Sequence, residues 1–70
     1  MDQKQHAYAI LREHDHDLPL QVKSALIEAF RMDAGAIELY ITMVDDKDLR
    51  REWMRVCLPN LGLLPKDFTF

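Results

Sequence analysis

The fold is decided by the stretch from residue 18 to residue 32, which reads LPLQVKSALIEAFRM. Its apolar residues recur at the helical period of about 3.6 residues without a gap. They are Leu18, Val22, Ala25, Leu26, Ala29 and Phe30. Asp17 can cap this helix, and Pro19 suits its first turn, where a missing backbone N–H costs nothing. The stretch therefore predicts an amphipathic helix over residues 18–32 with one face in a core.

The flanking segments also favour helices. Ala7, Ile10 and Leu11 share one face of a predicted helix over residues 2–14, which the polar run HDHD at residues 14–17 ends. Asp33 can cap a third helix over residues 34–44. The pair Asp45-Asp46 forms the next turn and cap. A fourth helix is predicted over residues 47–58, before the Pro-Asn pair that follows. The chain thus predicts an all-α fold, a compact bundle of about four short helices.

The third predicted helix is apolar on most sides. Such a helix lies in the centre of a core or in an interface. A strand over residues 37–44 is less favoured, because the segment lacks alternation and has no partner strand nearby. The last ten residues, LGLLPKDFTF, form an apolar C-terminal extension that we expect to dock over residues 61–70. It can fold back on its own helices, which is favoured, or add to a partner's sheet.

Composition indicates one globular domain over residues 1–70. We predict no cofactor for it. A chain of this size buries only about 60% of its unfolded surface, so its core is marginal. The single cysteine, Cys57, forms no internal disulfide and suits a reducing compartment. No stretch of about 18 apolar residues is present, so we expect a cytoplasmic protein without a membrane span. The net charge of −3 argues mildly against nucleic acid as a partner.

The fourth predicted helix carries a possible binding face. Lys47, Arg51 and Arg55 recur every four residues with Arg50 beside them, opposite a predicted inner face of Leu49, Trp53 and Val56. This basic stripe can contact phosphate or an acidic partner. The alternative, which we favour, is a solvated face balanced by neighbouring acidic residues.

The run HDHD at residues 14–17 has the most metal-like composition. The third histidine, His6, lies about 12 Å from His14 along a straight helix, so it cannot join a site. As a calcium loop the run fails, because Leu20 and Leu26 stand where glycine and glutamate are needed. We predict no metal site within one chain. A site shared between two chains through His14 and His16 stays open.

Catalysis finds little support in the sequence. No serine or threonine stands beside a histidine, and no glycine-rich phosphate loop is present. We therefore predict a non-enzymatic interaction or regulatory protein that self-associates as a homodimer and binds a larger protein partner. Its candidate contact residues are Tyr40, Met43, Phe68 and Phe70. The alternatives are a nucleic-acid-binding transcriptional regulator that uses Lys47, Arg50, Arg51 and Arg55, and a metal-linked oligomer.

Overall fold

The computed structural model describes residues 2–68 and folds them into four helices. They are α1 (Gln3–His14), α2 (Leu20–Met32), α3 (Ala34–Thr42) and α4 (Lys47–Asn60). No strand occurs between residues 2 and 68. The Cα radius of gyration of 10.9 Å agrees with the roughly 11 Å expected for a compact domain of this length. The predicted all-α bundle is therefore confirmed.

Three helices begin at an aspartate that caps them. Asp2 accepts a hydrogen bond from the backbone N–H of Gln5, Asp33 from that of Gly35, and Asp46 from that of Leu49, over 2.8, 2.9 and 3.0 Å. These bonds satisfy N–H groups that the first turn of a helix leaves without partners. Asp33 and Asp46 thus have the capping role that the sequence predicts.

The start of α2 differs from the prediction. Pro19 occupies the cap position without a side-chain hydrogen bond, and the helix begins at Leu20, two residues later than expected. Asp17 does not cap it, because its carboxylate binds Arg51 instead. Leu18 is nevertheless buried from the loop before the helix.

The end of α4 explains how the C-terminal extension reaches the core. Gly62 has a positive φ of 77°, and its N–H donates to the carbonyl of Pro59. The N–H of Leu63 donates to the carbonyl of Leu58, which completes a Schellman motif. This turn reverses the chain. Leu64 is buried as a result, and Phe68 packs against the core.

The core contains residues from all four helices. An aromatic row crosses it, with one ring from each helix: Tyr8, Phe30, Tyr40 and Trp53. Successive ring centroids lie 6.1, 5.1 and 6.5 Å apart in tilted arrangements. Such pairs stabilise a fold by about 0.5–1.5 kcal/mol each beyond the area they bury. The row links the four helices in sequence, with Tyr40 of α3 in contact with Phe30 of α2 and Trp53 of α4.

The buried face of α4 differs from the predicted one. Arg50, Met54 and Leu58 are buried at a spacing of four residues. Leu49 and Val56 are 52% and 54% exposed. The predicted inner face of α4 is therefore wrong for Leu49 and Val56, whereas Trp53 packs against the core as expected. The helix is rotated so that Arg50 enters the core, where a carboxylate is available.

Candidate functional site

Two regions of the molecule are candidates for a functional site, and the first is a cluster of charges inside the fold. Asp15 follows α1 and is fully buried. Its Oδ2 accepts hydrogen bonds from the Tyr40 hydroxyl at 2.6 Å and from Arg50 Nε at 2.8 Å. Arg50 Nη2 donates to Oδ1, also at 2.8 Å. The guanidinium thus donates two hydrogen bonds to the carboxylate, a bidentate geometry that makes such ion pairs strong.

Arg51 extends this cluster to the surface. Its Nη2 lies 3.1 Å from Asp15 Oδ1 and 2.6 Å from Asp17 Oδ1. Asp17 is itself half exposed, whereas Asp15 has no accessible side-chain surface. We call Asp15, Asp17, Tyr40, Arg50 and Arg51 the buried charged cluster. Two carboxylates and two guanidinium groups give it a net charge of zero.

Arg50 also binds the chain that leaves α3. Its Nη1 donates to the carbonyl of Val44 over 2.9 Å. A guanidinium at this place complements the negative end of the α3 dipole. The side chain therefore connects the α1–α2 loop, the end of α3 and the first turns of α4.

The charges shift the pKa values of the acidic groups in the cluster. Burial alone raises the pKa of Asp15, but the hydrogen bonds from Arg50 and Tyr40 outweigh it and hold that pKa below its ordinary value. The hydrogen bond from Arg51 lowers the pKa of Asp17 to about 2. Burial and the neighbouring carboxylate of Asp15 raise the pKa of Tyr40. Both aspartates are therefore charged at neutral pH, and Tyr40 is neutral.

The centre of this cluster is closed to solvent. Asp15 and Arg50 are 0% and 2% exposed, so no dissolved molecule reaches them. In the part of the chain that is described, no buried side-chain nitrogen or oxygen lacks a hydrogen-bond partner. A fully satisfied polar network of this kind specifies how elements pack.

The cluster changes the interpretation of the basic residues of α4. The expected stripe is not assembled as one exposed surface: Arg50 is buried, Arg51 is bound to Asp15 and Asp17, and Arg55 pairs with Glu52. Lys47 alone of the four is exposed without an ion pair among residues 2–68. The physical reason is that acidic groups of the same chain are near enough to neutralise the three arginines.

The four predicted contact residues lie in different environments. Tyr40 has no accessible surface, which differs from the surface role expected for it. Its hydroxyl is satisfied by Asp15. Met43 is half-buried in the turn after α3. Phe68 packs against the core of its own chain, and Phe70 lies outside the described residues.

The second region is a surface groove between α1 and α2, which sequence reasoning missed. It has a volume of about 560 Å³. We call it the α1–α2 groove, and its lining residues are Leu11, Arg12, His16, Leu20, Lys23, Ser24 and Ile27. Leu20 and Ile27 are 80% and 42% exposed. They lie seven residues apart on one face of α2, a spacing that could have revealed the face but not the groove.

The apolar surface continues beyond the first depression. A second depression of about 390 Å³ shares Leu11, Arg12 and Ile27 with the first and adds Tyr8. Leu11, at the floor, is almost fully buried. The two depressions together form one apolar surface that follows α1 and α2.

The cations of the groove have no partners in the described chain. The side chains of Arg12 and Lys23 form neither a hydrogen bond nor an ion pair with any residue from 2 to 68. Each of the four other arginines donates a hydrogen bond to a carboxylate. They are Arg31, Arg50, Arg51 and Arg55. The groove is thus a place where positive charge is left available beside apolar surface.

The metal hypothesis gains no geometric support within one chain. His16 lines the groove and His14 is exposed on the last turn of α1. Over the described range, no three histidine, cysteine, aspartate or glutamate side chains converge on a point that could hold an ion.

Likewise, none of the four helices, as far as the structure describes them, has the length and apolar character needed to cross a membrane.

Comparison of the chain with protein-family models, with curated proteins and with solved structures gave no match. The candidate site therefore depends on the geometry of the α1–α2 groove.

Proposed function

We propose that this protein is a non-enzymatic interaction protein whose α1–α2 groove receives an apolar segment of a larger protein partner. The observation that carries the proposal is the grouping of Leu20 and Ile27, both exposed, along one concave surface. Apolar residues scattered singly on a surface are ordinary, but a contiguous patch with a polar rim is typical of a site for another macromolecule.

The side chains in the groove support binding more than catalysis. Ser24 and His16 both line it, but no hydrogen bond joins them in residues 2–68. An activated serine needs a base within hydrogen-bonding distance, and that base needs a third group to orient it. Neither condition is met here.

Self-association is a second proposal, and a different surface supports it. Much of the apolar surface of α3 and of the extension is covered within the chain, since Ile37, Tyr40 and Leu64 are buried. The apolar side chains that remain exposed on α4 are Leu49 and Val56, one helical heptad apart. A homodimer would cover them. Sedimentation at micromolar concentration tests this: we expect a dimer that Leu49→Glu converts to a monomer, and a monomeric starting protein would refute it.

The two other functions have less support. The nucleic-acid alternative needs free cations on α4, but Arg50, Arg51 and Arg55 are ion-paired. The metal-linked oligomer needs His14 and His16 of two chains to meet. We therefore keep the protein partner as the leading proposal.

Selection from a displayed library of random linear peptides tests the groove. We expect enriched peptides whose affinity for Ile27→Ser is about tenfold lower, because burial of a branched aliphatic side chain is worth roughly 1.5 kcal/mol or more. Leu39→Ser is the matched control, since Leu39 is similarly exposed but lies on α3. The proposal fails if nothing is enriched or if both variants bind the selected peptides equally.

A further inference from the structure

We infer that the occupant of the α1–α2 groove is an amphipathic helix of the partner whose apolar face is flanked by carboxylates. This inference depends on the proposed function, and it adds the shape and the charge of the partner. Three observations lead to it: the unpaired cations at the groove, the length of the apolar surface, and the helical structure of both walls.

The charge of the partner follows from Arg12 and Lys23. Both side chains line the groove, and neither forms an ion pair with a carboxylate of residues 2–68. The other four arginines of the chain are all ion-paired within it. A guanidinium binds a carboxylate with geometric specificity, and complementary charges also speed association. A partner that brings carboxylates to these two cations completes ion pairs that the groove leaves unmade.

The shape of the partner follows from the walls. Leu20 and Ile27 are seven residues apart on α2, which corresponds to about 10.5 Å along the helix axis. Apolar side chains at positions i, i+3 or i+4, and i+7 of a second helix cover the same distance. Both walls of the groove are helices, so a β-strand finds no strand edge to extend. A helix laid in the groove fits both conditions.

Other ligand classes fit less well. Leu20 is too exposed for the groove to enclose a small molecule, whose binding sites usually cover about 70–90% of the ligand. An anionic membrane gains only about 1 kcal/mol from each cation, and the chain carries a net charge of −3 that opposes this attraction. A phosphate backbone could pair with Arg12 and Lys23, but it has no apolar group to place against Leu20 and Ile27.

The test compares two displayed libraries of helical peptides, each of about four turns. Their apolar positions are randomised identically, but the flanking positions are fixed as glutamate in one library and as lysine in the other. We expect enrichment from the glutamate library only. Selected peptides should bind about tenfold more weakly when the ionic strength rises to about 0.5 M, because salt screens exposed charges.

Variants of the chain separate the contribution of charge from that of apolar contact. Arg12→Gln combined with Lys23→Gln should abolish the preference for glutamate flanks. Arg31→Gln is the matched control, since Arg31 is a cation of α2 that pairs with Glu28 and does not line the groove. We expect it to leave the preference unchanged, whereas Ile27→Ser should weaken binding of every selected peptide.

Each outcome has a distinct meaning. Equal enrichment from both libraries, or a preference that survives the loss of Arg12 and Lys23, overturns the inference and leaves the proposed function standing. No enrichment from either library, or from random linear peptides, overturns both. Binding to phosphatidylserine vesicles that depends on Arg12 and Lys23, without peptide binding, also overturns the inference, in favour of a membrane.

Discussion

The buried charged cluster and the α1–α2 groove begin at neighbouring residues, but they differ in whether their charged side chains have partners among residues 2–68. Asp15 is fully buried and binds two arginines, whereas His16 points into the groove. Inside the cluster each charge has a partner from the same chain. In the groove Arg12 and Lys23 have none between residues 2 and 68. The difference shows that the same residue type stabilises the fold in one place and is available to a partner in the other.

Burial decides the energetic consequences of this difference. A charge removed from water is tolerated only when a partner and hydrogen bonds replace its solvation. The cations of the groove keep access to water, so they need no partner for the chain to fold. Substitutions in the two regions should therefore have very different effects on the free energy of unfolding.

The largest effect is expected for Asp15→Asn. This change keeps the size of the side chain but leaves Arg50 buried without an opposite charge. We expect the free energy of unfolding to fall by about 3–5 kcal/mol, in line with other disrupted buried pairs. Urea titration followed by circular dichroism measures it.

Asp17→Asn is the control for this substitution. Asp17 binds Arg51 at the half-exposed end of the cluster, where water takes over the role of a lost partner. We therefore expect Asp17→Asn to change the free energy of unfolding only slightly. Equal effects of the two substitutions would contradict the distinction between the buried and the exposed part of the cluster.

Acid should destabilise the fold by protonating the carboxylates of the cluster. The pKa of Asp15 is lowered in the folded chain, and that of Asp17 is about 2. The unfolded chain, with an aspartate pKa near 3.9, therefore binds more protons as the pH falls, and acid favours unfolding. We expect constant stability above about pH 5 and a progressive loss below about pH 4.

Denaturant titrations across this pH range test the prediction, and Asp15→Asn serves as the reference. Because the variant lacks the carboxylate, its stability should change less than that of the parent chain as the pH falls. An equally steep loss in the variant would assign the acid sensitivity to other carboxylates.

A smaller effect is expected for Tyr40→Phe. The change removes the 2.6 Å hydrogen bond to Asp15 but keeps the ring against Phe30. We expect a loss of about 1.5–2 kcal/mol, as for other hydrogen bonds to charged groups. Tyr8→Phe is the matched control, because Tyr8 also contacts Phe30 and its hydroxyl makes no hydrogen bond to residues 2–68. A comparable loss in both variants would mean that the hydroxyl of Tyr40 contributes nothing.

The two regions also differ in how far the sequence could predict them. The period of α2 and the caps Asp33 and Asp46 are local signals, and the structure confirms them. The pairing of Asp15 with Arg50 joins residues 35 positions apart and leaves no periodic trace. Apolar periodicity treats an arginine as a surface residue, and for this reason the predicted inner face of α4 includes Leu49 and Val56 in place of Arg50.

The sequence did not predict the α1–α2 groove, for a related reason. It lies between two helices, so its existence depends on how α1 and α2 pack and not on the pattern of either. Leu20 and Ile27 fall outside the main apolar stripe of α2, where single apolar residues are ordinary. Their significance appears only when Leu11 and Arg12 of α1 are placed beside them.

The smallest effect is expected for Leu20→Gln, and it tests the groove itself. Leu20 is 80% exposed at the first residue of α2, so the folded chain buries little of it. We expect the free energy of unfolding to change by less than about 0.5 kcal/mol. Leu26→Ala on the same helix is the contrast: Leu26 is fully buried, and the cavity should cost about 2–5 kcal/mol. A loss above about 1 kcal/mol for Leu20→Gln would mean that Leu20 is covered in solution by the chain itself, and the groove would then be closed to a partner.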